Sequence, residues 1–271
     1  MLISRFAAIT LSALFIAGCA SGPRPQAPIP QNLNKAEFVL SHTATLDVTS
    51  NTQKHLNVEK DIVYHQEFGG GGAGVGLLLG PFGVAANVAM IDSNTQKDVD
   101  QMLNKISVKP RDLFVAAANS KGVSASIEAA EGRLRVTPYI YVSKTEEKKL
   151  LVAAAIIIEQ TATAEKWTGK YMYELPVTYT VENLSSLDPV ATESLRSALT
   201  NGYTNLLAVV AKETNDRLVD EKSVTFKSNL LSPRQDIAMA GHIVGSDNDV
   251  TWVRTYGGVY ALRKESFSPV Q

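Results

Sequence analysis

Between Arg133 and Val181 the chain alternates apolar and polar residues, interrupted by one run that is apolar throughout. Leu134, Val136, Pro138, Ile140 and Val142 alternate with Arg133, Arg135, Thr137, Tyr139 and Tyr141, the period of a strand with two distinct faces. Lys149 to Glu159 contains Leu-Leu-Val-Ala-Ala-Ala-Ile-Ile-Ile, apolar on both faces, and predicts a central strand. Trp167, Tyr171, Tyr173, Leu175, Val177, Tyr179 and Val181 then fall on one face of a long strand. The connectors 143–148 and 160–166 are too short for a crossover helix, so these strands should form an antiparallel meander.

Helical spacing lies on either side. Val84, Val88, Ile91, Thr95, Val99, Met102 and Ile106 recur every three or four residues, predicting an amphipathic helix. Pro110 ends it and opens a short helix over 112–119. Asp188-Pro189 combines an N-cap acceptor with proline at the first helical position, and Leu195, Leu199, Gly202, Leu206 and Val210 continue as an apolar stripe. Before the first helix, 36–48 and 56–65 read as strands joined by a loop at 50–52. After the last, 223–227, 242–244, 250–255 and 259–263 read as strands, with hairpin turns at Gly245 to Asp249 and at Gly257-Gly258. The pattern predicts one α+β domain over 36–271, a mostly antiparallel sheet with the 84–106 and 188–220 helices packed on it.

Phe68 to Ile91 is unlike the remainder: 24 residues without a charge, eight of them glycine. Gly72, Gly76 and Gly80 repeat at the four-residue spacing that lets helices approach closely in membranes. The four consecutive glycines 69–72 and Pro81 favour a loop leading into a buried helix. A membrane-inserting or oligomerising segment is the alternative, and it makes these three glycines candidate contacts. A phosphate-cradling loop is disfavoured, because neither a Walker A pattern nor a complete G-x-G-x-x-G is present.

The N-terminus carries an export signal: Arg5 is its only charge, and Phe6 to Ala17 is an apolar run of 12 residues, too short to span a bilayer. It ends in Ile16-Ala17-Gly18-Cys19, and the chain's single cysteine stands at the cleavage point. In these residues the chain resembles the bacterial lipoprotein class, whose signal ends in small residues and a cysteine. The resemblance implies removal of 1–18, a diacylglyceryl group on the Cys19 thiol and an acyl chain such as palmitate on the new amino terminus. Several chains anchor stably where one is marginal. Ala20, in place of the aspartate that holds such proteins at the inner membrane, implies the periplasmic side of the outer membrane. Residues 19–35 read as a lipidated cysteine and proline-rich tether, with prolines at 23, 25, 28 and 30, whose stretch 21–34 reaches up to roughly 40 Å.

Composition adds exclusions. Hydrophobic residues make up 45% and charged residues 20%, enough for a core without disulfides. The net charge of −1 gives no reason to expect a nucleic-acid partner. His42, His55, His65 and His242 are scattered, and no zinc, calcium or cofactor motif is present, so no metal or cofactor is expected. His65 with Glu67 could form an acid–base pair but reads better as a solvated strand end. Ser124 lacks the second glycine of a nucleophile elbow, and Asp247-Asn248-Asp249 reads as a turn. Trp167, Tyr171, Tyr173 and Tyr179 form an aromatic row. Such a row is core beneath a helix, or a ligand face if it is open. The expected function is a non-enzymatic assembly, scaffolding or accessory binding role in the envelope, with a protein partner. A membrane-active oligomer using 68–90 and an envelope hydrolase with an unrecognised site are the alternatives.

Overall fold

A computed structural model describes residues 24–31, 33–41, 52–66, 92–127, 133–160, 166–213, 221–233, 237–247 and 249–270. Cys19 and the segment with Gly72, Gly76 and Gly80 lie outside the described residues.

The meander forms as the alternation predicts. Strands β5 (Leu134–Lys144), β6 (Leu150–Gln160) and β7 (Trp167–Tyr179) pair antiparallel. The sheet built on them is larger and more mixed than expected. Its other strands are β1 (Glu37–Leu40), β2 (Gln53–His55), β3 (Ile62–His65), β4 (Ser124–Ser126), β8 (Lys222–Lys227), β9 (Met239–Ser246), β10 (Val250–Thr255), β11 (Gly258–Arg263) and β12 (Ser268–Pro269), ordered β12-β8-β9-β10-β11-β7-β6-β5-β1-β4 with β2–β3 off this path. The pairs β1–β4, β1–β5, β3–β5 and β7–β11 are parallel and the other seven pairs antiparallel, so among the described residues the sheet is mixed with antiparallel pairing in the majority. Short connectors dictate antiparallel neighbours, as in the meander and the hairpins β9–β10 and β10–β11. β11 returns to β7 after the long helix and three further strands, a connection long enough for parallel pairing. One edge of β5 serves two partners: β1 pairs with Leu134 to Val136, and β3 with Ile140 to Ser143. The strand expected over 56–65 starts only at Ile62, because Asn57 Oδ1 accepts from the Asp61 and Ile62 amides and turns the chain.

Helices cover one face of this sheet: α1 over 92–102, α2 (Pro110–Ser120), the short α3 (Val181–Ser185) and α4 (Pro189–Lys212). Asp188 caps α4 as its sequence predicts, accepting from the Ala191 amide at 2.7 Å. The apolar stripe of α4 is buried on β6 and β7, and at Gly202 helix and sheet are closest. A Cβ there would lie 2.8 Å from Ala154 Cβ. Below the helices, Val136, Ile140, Val152, Ala154 and Ile156 join Leu199, Leu206 and Phe114 in the main core.

The opposite face is buried too. Tyr139, Tyr141, Leu151, Ala153, Ala155 and Met172 meet Phe226, Leu230 and Val253 from the far end of the same sheet. The β9–β10 pairing shifts register between Trp252 and Val253, and a bulge of this kind bends a strand and increases its twist. The sheet folds over itself, with helices outside and a second core within.

The proline-rich segment differs most from its expected form. It is extended, but it lies against the domain from Gln26 onward. The Gln26 amide donates to Thr255 O at 2.8 Å, its side-chain oxygen accepts from the Lys170 amide at 2.7 Å, and the Ile29 side chain is fully buried. Trp167 Nε1 donates to Ala27 O at 3.1 Å, and its ring covers Gly169, where a Cβ would fall 2.4 Å away. Beneath this strap Arg254 pairs with Glu213 at 2.8 Å and with Glu221 at 3.1 Å, the three side chains being 1, 2 and 4% exposed. The Ile29 amide and the Tyr171 hydroxyl donate to Glu213 Oε2, at 3.1 and 2.6 Å. Prolines donate no backbone hydrogen bond, so the intervening residues and the chain's own carbonyls make these contacts.

Two substitutions test this packing by urea denaturation. Arg254→Met leaves two carboxylates buried without a counter-charge and should cost about 3–5 kcal/mol. Gly202→Val forces α4 off β6 and should cost about 1–3 kcal/mol. Retention of the wild-type midpoint in either would contradict the packing described.

Candidate functional site

The fold-over leaves a cavity of about 700 Å³ on the inner face. One wall comes from the meander and its neighbours, with His65 of β3, Tyr141 of β5, Lys170 and Met172 of β7, and Tyr260 of β11. Val224 of β8, Leu231, and Met239 to His242 of β9 form the other. Pro25 of the strap and the turn Tyr256-Gly257 also line it.

The register explains how its polar groups meet. Tyr141 pairs with Ala153, and Met172 with Ala155, so the middle strand is low between Tyr141 and Met172, with Ile157 opposite Lys170. Across that low strand the Lys170 ammonium reaches 5.7 Å from the centroid of the Tyr141 ring, a cation–π contact. β3 runs parallel to β5 with Val63 opposite Tyr141, which brings His65 onto the same face. Its Nδ1 contacts the Tyr141 hydroxyl.

Burial sets the charges. It pushes the His65 pKa down, and the Lys170 charge adds to the effect, to about 4; the ring is therefore neutral at pH 7. Burial also lowers the Lys170 pKa, to about 8. By surface area Lys170 is only half-buried, because the cavity is open, but the protein packed around it is that of an interior and governs its desolvation. Among the described residues no carboxylate forms an ion pair with it, and none lines the cavity. The site is thus apolar, with one cation and a neutral Tyr–His pair in its wall. Below pH 8 this suits an anion, and above it the amine is increasingly neutral.

The residues named from sequence fall elsewhere, with one exception. Tyr171 is fully buried and bonded to Glu213, and Tyr173 packs on Trp252 at 6.0 Å. Trp167 stands on the strap, and Tyr179 is partly buried against the main core. Three members of the row are thus partly buried against the main core and Tyr171 is buried within it. Ser124 lies on β4, and its amide bonds to Ala36 O. Asp247 Oδ1 accepts from the Asp249 and Val250 amides, as a hairpin turn requires. Among the described residues no three His, Cys, Asp or Glu side chains gather to hold a metal. His65 is the exception: expected at a solvated strand end, it is 5% exposed. Its proposed partner Glu67 is outside the described residues. Lys170 and Tyr141 were missed. The available signal was a lysine in mid-strand opposite the aromatic row, a position that passes for solvent-facing unless that face is known to be covered.

No family model matches the chain, and no curated protein matches it. Among solved structures it is similar to a crystal structure of an uncharacterized protein at 6% identity, with a TM-score of 0.24, over 70% of this chain and 98% of that one. A likeness so slight carries no argument about function.

An ammonium desolvated without a counter-ion is a cost to folding. Lys170→Met should raise stability at pH 7 by about 1–3 kcal/mol. The folded pKa lies below the unfolded one, so the unfolded state binds more protons between pH 8 and 10.5, and the wild type gains stability as pH rises through that window. The advantage of the variant should therefore shrink from pH 8 to 10. Thermal unfolding of both proteins checks this, and an advantage that does not change with pH would mean a solvated amine.

Proposed function

We propose that this chain is an outer-membrane lipoprotein, anchored through Cys19, with a non-catalytic accessory binding role in the bacterial envelope. The lipobox Ile16-Ala17-Gly18-Cys19 supports the anchor, and Ala20 supports the outer-membrane destination. Among the described residues no helix is long and apolar enough to cross a membrane, which leaves a lipid anchor compatible with the fold. The observation that carries the binding role is the cavity beside Lys170. Its size lies within the roughly 300–1,000 Å³ range of small-molecule sites, and its mostly apolar wall with a few converging polar groups is the usual makeup of one.

Cys19→Ser should move the protein from the membrane pellet to the soluble periplasmic extract, read by fractionation. Native mass spectrometry of the acylated protein should show a non-covalent ligand, and in-cell crosslinking should capture a reproducible envelope complex. Turnover of an envelope substrate, abolished by a point mutation in the cavity, would replace this reading with an enzymatic one.

A further inference from the structure

We infer that the cavity takes a single-chain anionic amphiphile drawn from the bilayer to which the chain is anchored, its acyl chain along the apolar wall and its head group on Lys170. The inference rests on the binding role proposed above and names its ligand.

Two independent features lead to it. The first is the chemistry of the lining. Met172, Leu231, Met239 and Tyr260 supply an apolar wall, while Ser223 and Thr225 can donate hydrogen bonds. Lys170 is a cation with no carboxylate lining the cavity among the described residues, so an incoming anion meets charge that none of them offsets. A volume of about 700 Å³ admits one acyl chain with a small head group rather than a phospholipid with two. A fully water-soluble anion would leave the apolar wall unused, and an uncharged lipid would leave Lys170 unpaired.

The second is the strap. Because it is docked from Gln26 onward, the free chain between Cys19 and Pro25 spans six residue steps. Fully extended, six steps reach roughly 20 Å. Pro25 itself lines the cavity, so that part of its wall is held within that distance of Cys19, the proposed anchor. The surface around the point of entry suits a lipid head-group layer. Arg24, Lys166 and Trp167 line a shallow concavity that shares Lys170 and Tyr256 with the main cavity, and again no described residue there is acidic. Tyr256 is 73% exposed, an aromatic ring on the rim with an apolar body and a polar tip. The cavity thus opens where a lipid leaving the membrane would enter.

The test uses the mature full-length chain with Cys19→Ser, so that no detergent is needed. Calorimetry measures binding of palmitate and of a single-chain lysophosphatidate, with methyl palmitate as the uncharged control and acetate and phosphate as short anions. Both charged amphiphiles should bind at micromolar concentration or tighter. Lys170→Met should weaken them tenfold or more, Lys170→Arg should retain them, and methyl palmitate should not distinguish the variants. The other titratable side chains facing Lys170 across the cavity are His65, Tyr141, His242, Tyr256 and Tyr260. Palmitate affinity should fall as pH rises from 7 to 9 in the wild type and stay flat in Lys170→Met, which would not follow if the lysine were merely structural. Circular dichroism of each variant separates loss of binding from loss of fold. Preference for acetate or phosphate over palmitate would overturn the inference, as would equal binding of the methyl ester or indifference to Lys170→Met. A different ligand retained in native mass spectrometry would overturn it while leaving the binding role standing.

Discussion

β6 is buried on both faces, and that burial sets the architecture around it. Leu150, Val152, Ala154, Ile156 and Ile158 need one apolar cover, and Leu151, Ala153 and Ala155 need another. Helices provide the first. For the second the chain uses its own sheet, which continues through β7, β11, β10, β9 and β8 until the far strands lie over the near ones. A surface assembled from two stretches of one sheet fits less tightly than a helix laid in a groove, and the cavity is the gap where the fit is incomplete. Ala153 and Ala155, the two alanines of β6 on that face, keep the strand low there while leaving it apolar.

Arg254 fastens the fold-over at its open side. Its guanidinium joins β10 to Glu213 just past the long helix and to Glu221 ahead of β8. Buried ion pairs contribute little net stability against a hydrophobic replacement, but they tolerate few alternative arrangements. Here the cluster fixes where the helix ends relative to the sheet and provides the carboxylate on which the strap closes. The strap in turn supplies Gln26, whose side chain caps the backbone of Lys170. Site, seam and strap therefore form one connected hydrogen-bonded unit.

The meander and the start of the long helix were legible because their signals are local: a period of two, a pair of short connectors, an Asp-Pro cap. What was not legible depends on pairing between distant residues. Nothing near Val259 announces a parallel partner at Tyr171, and nothing near Glu37 announces Ser124. The site was hidden for the same reason. Tyr141 reads as the polar side of an amphipathic strand, and it is polar, but it faces a cavity rather than water. His65 sits at a strand end in the sequence and in the middle of a covered face in space. Proline content implied a segment without helix or strand, as residues 24–30 are, but that says nothing about attachment. The partners of that segment lie at 167–171, 213 and 254–255.

That separation has a kinetic side. Gln26 and Arg254 are 228 positions apart, and Ile29 and Glu213 are 184 apart. A contact of such span closes late, after the intervening chain has found its place. Made first, the N-terminal segment must wait for almost the whole polypeptide before it has anything to dock against. Until then residues 21–34 can stretch to roughly 40 Å, at about 3.1 Å per residue; afterwards the chain from Gln26 onward is held against the domain. Completion of folding would thus reel the domain in toward its proposed anchor, so that distance from the membrane reports whether the polypeptide has reached its native state.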